Sequence, residues 1–297
     1  MNRLFKKLFG KKRSAALDIE TAPLSAEQLE AVAQSLVTYS PPQLLVGCAQ
    51  SVGMLRDHNE DTIFALNSVV AGAKSDLPFG IFIVADGMGG HLHGEIASGI
   101  ATRVMAEVLL KKIYFPLLNT KPLEQLNSIQ EIMEKGVSEA QSAVHAQVPG
   151  GGTTLTVAVL IGEQLITAHV GDSRAYLIFP DGRLQVITQD HSLVNRLVEL
   201  GQLTKEEAAT HPQRNVLYRA IGQSEPFYPD INHLTFPNPG YLMLCSDGLW
   251  GVISEAEILH IITTSSHPSL ACHALVNAAN TAGGPDNISV ILLQYLR

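Results

Sequence analysis

Cysteine is scarce. Cys48, Cys245 and Cys272 lie far apart, and two of them sit inside apolar runs. That usage excludes a disulfide framework and a cysteine zinc site, and fits reduced core residues of a cytoplasmic protein. Aromatic residues make up only 6% of the chain, and no run of 18 apolar residues occurs, so no membrane-spanning helix is expected. The N-terminus lacks the apolar core of a secretory signal. Internal repeats and low-complexity tracts are missing too. So is the Gly-x-x-x-x-Gly-Lys-[Ser/Thr] phosphate loop.

Charge is present but unevenly placed. Net charge is −8 over 297 residues, yet residues 1–13 hold six basic residues and no acid. The remainder carries 14 basic against 28 acidic residues, or −14. So acidic a body is a poor partner for nucleic acid. In the basic tip, Leu4, Phe5, Leu8 and Phe9 share one face of a short helix among lysines. Such a helix suits weak, reversible contact with an anionic membrane surface. A disordered basic tail fits equally well, and the sequence leaves both open. Residues 14–24 read as linker. Ser25-Ala26-Glu27-Gln28 is a capping-box pattern opening a short amphipathic helix that Pro41-Pro42 ends. We therefore divide the chain into a tip, linker and helix over 1–43 and one main domain over 44–297.

The main domain carries one device four times. Gly80-Ile81-Phe82-Ile83-Val84-Ala85-Asp86-Gly87-Met88-Gly89-Gly90 is a buried-strand pattern that stops at an acid and dissolves into glycine. Leu242–Cys245 leads into Ser246-Asp247-Gly248 in the same way. Asp286 stands just before the run Ile288–Leu293, and Glu60-Asp61 just before Thr62–Leu66. A turn would explain any single Asp-Gly. Four acid-bearing strand ends make four unrelated turns the poorer account. Carboxylates converge at low cost only around cations, and all-oxygen donors favour Mg²⁺ or Mn²⁺ over zinc.

The coarse element pattern has strands over about 45–54, 62–67, 80–85, 153–161, 164–170, 175–179, 184–188 and 287–295. Residues 68–78 read as a small polar loop. Helical stripes cover 95–114, 122–147 and 254–281, with short helices and loops over 192–222. This order suggests an α+β sandwich with helices outside the sheets.

The ordered motifs Arg56-x-x-Asn59-Glu60-Asp61, Val84-Ala85-Asp86-Gly87-Met88-Gly89-Gly90, Gly152-Thr153-Thr154, Val170-Gly171-Asp172-Ser173-Arg174, Thr188-Gln189-Asp190-His191-Ser192, Ser246-Asp247-Gly248 and Asp286-Asn287 carry a specific likeness. From about residue 45 to the end, the chain resembles the metal-dependent protein phosphatases of the protein phosphatase 2C type, in their bacterial form. The resemblance implies a β-sandwich of two antiparallel sheets flanked by pairs of antiparallel helices. It implies two Mn²⁺ or Mg²⁺ ions held by Asp61, Asp86, Asp247, Asp286 and the Gly87 carbonyl. Glu60 would hold water beside the metals, and Arg56 would grip phosphate. Asp190, His191 and Ser192 would lead into a variable flap over the site, residues 193–222.

The implied activity is hydrolysis of phosphoserine and phosphothreonine in proteins, by direct attack of water and with no covalent intermediate, against a bacterial serine/threonine kinase. A water between two cations has a strongly lowered pKa, and a guanidinium fork matches phosphate oxygens. Two departures from the family pattern matter. Many bacterial members carry an acid just before Gly-Thr-Thr that binds a third metal. Here Gln147-Val148-Pro149-Gly150-Gly151 has none, which leaves a third metal without its acid. Met88 stands where many eukaryotic relatives have a histidine proposed as general acid, leaving His91, His93 or solvent for that role.

The motif His91-x-His93-x-Glu95 reads as a loop entering a helix in preference to a metal cluster, and Asp172 with Arg174 as a structural pair at a turn. A nuclease is disfavoured by the acidity. The alternative within the fold is a catalytically weak or inactive module that binds phosphoproteins. We expect a cytoplasmic monomer, peripheral at the membrane if the tip binds there.

Overall fold

The computed structural model describes residues 41–72, 75–89, 92–118, 128–223 and 228–296. The chain divides into Met1–Thr38 and Tyr39–Arg297. The expected basic tip, linker and helix, and also His91, lie outside the described residues.

Two five-stranded antiparallel sheets make up the body. The first runs β1 (Gln43–Ser51), β12 (Ile288–Leu296), β11 (Gly240–Cys245), β8 (Arg174–Ile178), β9 (Leu184–Val186). The second runs β10 (Asp230–Thr235), β7 (Gln164–Val170), β6 (Leu155–Ile161), β3 (Ser75–Ala85), β2 (Thr62–Gly72). A two-stranded ladder joins β4 (Gly87–Met88) to β5 (Gly152–Thr153).

The unbroken apolar runs of β3 and β12 follow from burial on both faces. Phe82 and Val84 point into the core between the sheets, whereas Ile81, Ile83 and Ala85 join the core beneath the outer helices. In β12, Ile291, Leu293 and Tyr295 face inward and Ile288, Val290 and Leu292 outward. Each such side chain contributes roughly 1.5–3 kcal/mol by leaving water.

Helices cover both outer faces. On the second sheet lie α1 (Leu92–Leu109), continued by a π turn over Leu110–Tyr114, and α2 (Ile129–Gln147). They cross closely at Gly136, where an added Cβ would lie 2.5 Å from the Met105 sulfur. On the first sheet lie α6 (Glu255–Thr264) and α7 (Pro268–Thr281). The short α3 (Leu193–Glu199) and α4 (Lys205–Ala209) belong to the expected flap, and α5 (Asp247–Trp250) follows β11 directly.

Three expectations need correction. Residues 68–72 and 75–78 are no loop: the β2–β3 ladder continues to the pair Gly72–Ser75. Val69 and Val70 extend the strand pattern, and Pro78 is tolerated because it lies beyond the last residue of β3 paired to β6. Strand β1 ends at Ser51 instead of 54, where the chain turns toward Arg56. Strand β10, polar and half-exposed at the sheet edge, had no apolar run to announce it. The helix expected over 95–114 is present, but a π turn occupies its end. Pro116 lacks the N–H that an α-helical bond to residue 112 requires.

Candidate active site

Sheet register brings the four acid-bearing ends together. Thr62 pairs with Ala85, so the start of β2 lies beside the end of β3, and Cys245 pairs with Val290, so the end of β11 lies beside the start of β12. The two sheets meet at this rim through Asp61. Its Oδ2 accepts hydrogen bonds from Ser246 Oγ (2.8 Å) and Ser289 Oγ (2.6 Å) of the other sheet.

Asn287 is the second tie. Its Oδ1 accepts from the Glu60 amide at 2.8 Å, and its Nδ2 donates to the carbonyls of Val52 (2.8 Å) and His58 (2.9 Å). Both its amide hydrogens and its Oδ1 are spent on holding the loop that carries Arg56, Glu60 and Asp61. Helix α1 presses in from the side: a Cβ on Gly94 would lie 2.7 Å from Glu60 Oε2, and one on Gly87 2.3 Å from the Gly94 carbonyl oxygen. The turn at Asp86 is fixed by Thr154, whose hydroxyl accepts from the Asp86 amide and whose amide donates to the Asp86 carbonyl, each at 2.9 Å.

The outcome is a nest of mutually repelling carboxyls. Burial, then repulsion from Asp247 and Asp286 against the two serine bonds, leaves Asp61 pushed up to about 7. Burial and Asp286 push Asp247 up to about 6, and burial with Asp61, Asp247, Asp172 and Asp286 holds Asp86 well above the usual carboxylate range. Arg56 is the adjoining cation, with Nη2 2.7 Å from Asp286 Oδ2. Two buried oxygens, Asp61 Oδ1 and Asp247 Oδ1, have no partner. Among the described residues, the acids do not close into a cage of three about one point. They form a cluster lacking its countercharge, and hard divalent cations, with their preference for oxygen, fit the donors present.

Comparisons with known proteins give the family. Residues 48–288 match the family model described as protein phosphatase 2C. The chain belongs to the protein phosphatase 2C family. A serine/threonine phosphatase of Listeria innocua is 38% identical over 82% of this chain and 92% of its own length. The solved serine/threonine phosphatase of S. agalactiae superposes with a TM-score of 0.72 at 32% identity, covering 85% of this chain and 99% of that one. The catalytic domain of the serine/threonine phosphatase PstP, solved with two manganese ions, superposes with a TM-score of 0.68 at 30% identity, covering 86% and 100%. This protein phosphatase 2C member is thus a metal-dependent serine/threonine phosphatase, and phosphoproteins are its substrates.

The structure gathers Arg56, Glu60, Asp61, Asp86, Gly87, Asp247 and Asp286 at one rim. His93 is exposed, and Glu95 stands in the first turn of α1, as a loop entering a helix requires. Asp190, His191 and Ser192 sit at the base of the flap. Ser192 caps α3 by accepting from the Asn195 amide. His191 is 1% exposed; its Nδ1 accepts from the Gly171 amide at 3.0 Å, so Nε2 carries the proton and donates to Asp230 Oδ2 at 3.1 Å. Arg219 clasps the other oxygen of Asp230 at 2.7 Å, which ties the end of the flap to β10.

The expected Asp172–Arg174 pair is not formed. Arg174, the first residue of β8, donates from Nε and Nη2 to both oxygens of Asp190 at 2.9 and 2.7 Å. Asp172 instead lies buried among the acids, with burial and Asp247 raising it well above its usual range. Ser246, Ser289 and Asn287 emerge as orienting residues. The signal for Ser289 was its place two residues beyond Asn287, on the same side of the strand.

Proposed function

We propose that Asp61, Asp86, Asp247, Asp286 and the Gly87 carbonyl hold two Mn²⁺ or Mg²⁺ ions. The unpartnered oxygens of Asp61 and Asp247 carry this reading, since a buried carboxylate oxygen without a donor costs about 1–3 kcal/mol or more, and a bound cation removes that cost. When bound, the ions supply positive charge and lower the pKa of water for in-line attack on phosphorus.

The chain's own residues do the rest. Arg56 lies 47% exposed at the mouth and releases Asp286 to fork onto the phosphate oxygens. Glu60, 7% exposed and braced by His58 at 3.2 Å, orders water beside the acids. Ser246 and Ser289 fix which oxygen of Asp61 stays free. Burial pushes the Cys245 and Cys272 thiols up to about 12, which supports direct attack by water over a cysteinyl intermediate. In the cell the enzyme opposes a bacterial serine/threonine kinase.

The test is phosphate release from a phosphothreonine peptide in Mn²⁺, Mg²⁺, Zn²⁺ or chelator, for wild type and Asp247→Asn. We expect release with Mn²⁺ or Mg²⁺ only, and a loss of at least ~100-fold in the variant. Full activity in chelator, or in Asp247→Asn, refutes the assignment.

A further inference from the structure

The roles above leave unused a cavity of about 470 Å³ that opens beside Asp172 and Asp247 and runs under the flap. Its floor is the indole of Trp250, with the Arg174 guanidinium stacked 3.6 Å over the ring and Trp250 Nε1 donating to the Asp172 carbonyl at 3.0 Å. Arg174 is spent on Asp190, so that pair offers a flat surface and almost no net charge.

The flap supplies the opposite wall. Val194 and Val198 of α3 and Ala208 of α4 make it apolar, and Lys205 and Arg214 line it with cations. Both cations are exposed, and among the described residues neither side chain has an ion-pair or hydrogen-bond partner. Their neighbours differ: Arg196 is held by Glu199 and Arg219 by Asp230. On a body that carries −14 outside its basic tip, two unopposed cations on one cavity wall are a local exception. An apolar wall, a flat aromatic floor and positive charge together suit a side chain with a short apolar stem and a carboxylate head.

We propose that this cavity is the subsite for residues flanking the phosphorylated serine or threonine, and that Lys205 and Arg214 select an acidic side chain there. The inference rests on the phosphatase activity and deepens it by naming a substrate class. Asp172 and Asp247 line the end nearest the acid cluster, so they favour a carboxylate that stays on the flap side. Exposed cations at a rim give modest, salt-screened discrimination, made equally in the bound and reacting states, so the preference belongs in KM more than in kcat.

Four phosphothreonine peptides test this, with glutamate or lysine on the N-terminal side or on the C-terminal side. Rates are normalised to p-nitrophenyl phosphate, which has no flanking residues. Wild type should prefer one glutamate peptide over its lysine counterpart by about tenfold in kcat/KM, mostly through KM, and the preference should shrink in ~0.5 M NaCl. Lys205→Glu/Arg214→Glu should invert it. If wild type hydrolyses p-nitrophenyl phosphate but treats all four peptides alike, or if the double variant keeps the preference, this inference is overturned and the activity stands. If wild type hydrolyses neither class with Mn²⁺, the phosphatase reading fails and the inference falls with it.

Discussion

Asp61 is held on one oxygen and idle on the other, and that asymmetry is where the site's chemistry is set. Ser289→Ala removes the shorter of its two hydroxyl donors and lets the carboxylate rotate. Orienting partners of this kind are typically worth 10–100-fold, so we expect activity to fall about tenfold while the far-UV spectrum stays unchanged. Activity within twofold of wild type would remove Ser289 from the machinery. Asp247 offers a separate test without turnover. Its carboxyl is pushed up to about 6, so its charged form burdens the metal-free fold at pH 7.5. In chelator, Asp247→Asn should therefore be the more stable protein, by about 1 kcal/mol or ~2–4 °C in Tm, while Mn²⁺ should raise Tm for wild type only. A variant less stable than wild type in chelator contradicts the repulsion argument. The acids were legible in the sequence because each stands at one end of an apolar run. Their hydroxyl and amide partners were not, since Ser246, Ser289 and Asn287 act across sheets and only register places them against Asp61 and Glu60. Asp172 was misread for a related reason: Arg174, two residues on, takes Asp190 from farther along the chain.

Elements hold these residues by close backbone approach. Gly248 is the second residue of α5 and lies against the chain that presents Asp286; a Cβ there would stand 2.0 Å from the Asn287 carbonyl oxygen. The clash is with backbone, so neither side can give way cheaply. Gly248→Ala should cost at least ~3 kcal/mol in chemical denaturation and should weaken Mn²⁺ binding, because it separates Asp247 from Asp286. A cost under ~1 kcal/mol would mean the rim is softer than its geometry implies. The same scale shows which elements a sequence reveals. Strands β3, β11 and β12 were plain because each carries an apolar run buried on both faces. Strand β10 was silent because it is an edge strand whose inward residues are few. The β2–β3 hairpin outran its expected loop because polar and small residues continue a ladder once its register is fixed.

For the molecule as a whole, acid stability is set by two groups of opposite sign. His169, on β7, is fully buried against the flap base, with Nε2 donating toward the carbonyls of Gly171 (3.0 Å) and Gln189 (3.1 Å) and Nδ1 2.9 Å from Thr156 Oγ1. Its ring stacks 5.0 Å from His191. Burial, aided by the neighbouring His191, lowers it from 6.5 to about 3, and burial lowers His191 as well. A lowered histidine leaves the unfolded chain holding more protons than the folded one below pH ~6.5. For His169, stability is therefore lost as pH falls from there toward 3, by up to ~1.4 kcal/mol per pH unit, and His191 adds a loss of the same sign. The metal-free acids act the other way. Asp61 and Asp247, raised to about 7 and about 6 from 3.8, take up protons in the fold before they do so unfolded, so they add stability as pH falls from about 7 toward 4. Mn²⁺ removes that gain by keeping the carboxyls ionised, and the histidine loss should then stand alone. We expect urea midpoints measured with saturating Mn²⁺ to fall steadily from pH 7 to 5. In His169→Gln, which keeps an N–H for the two carbonyls, we expect a lower midpoint at pH 7 and a shallower fall below it. Parallel pH profiles for the two proteins would show that His169 does not set the acid limit of the fold.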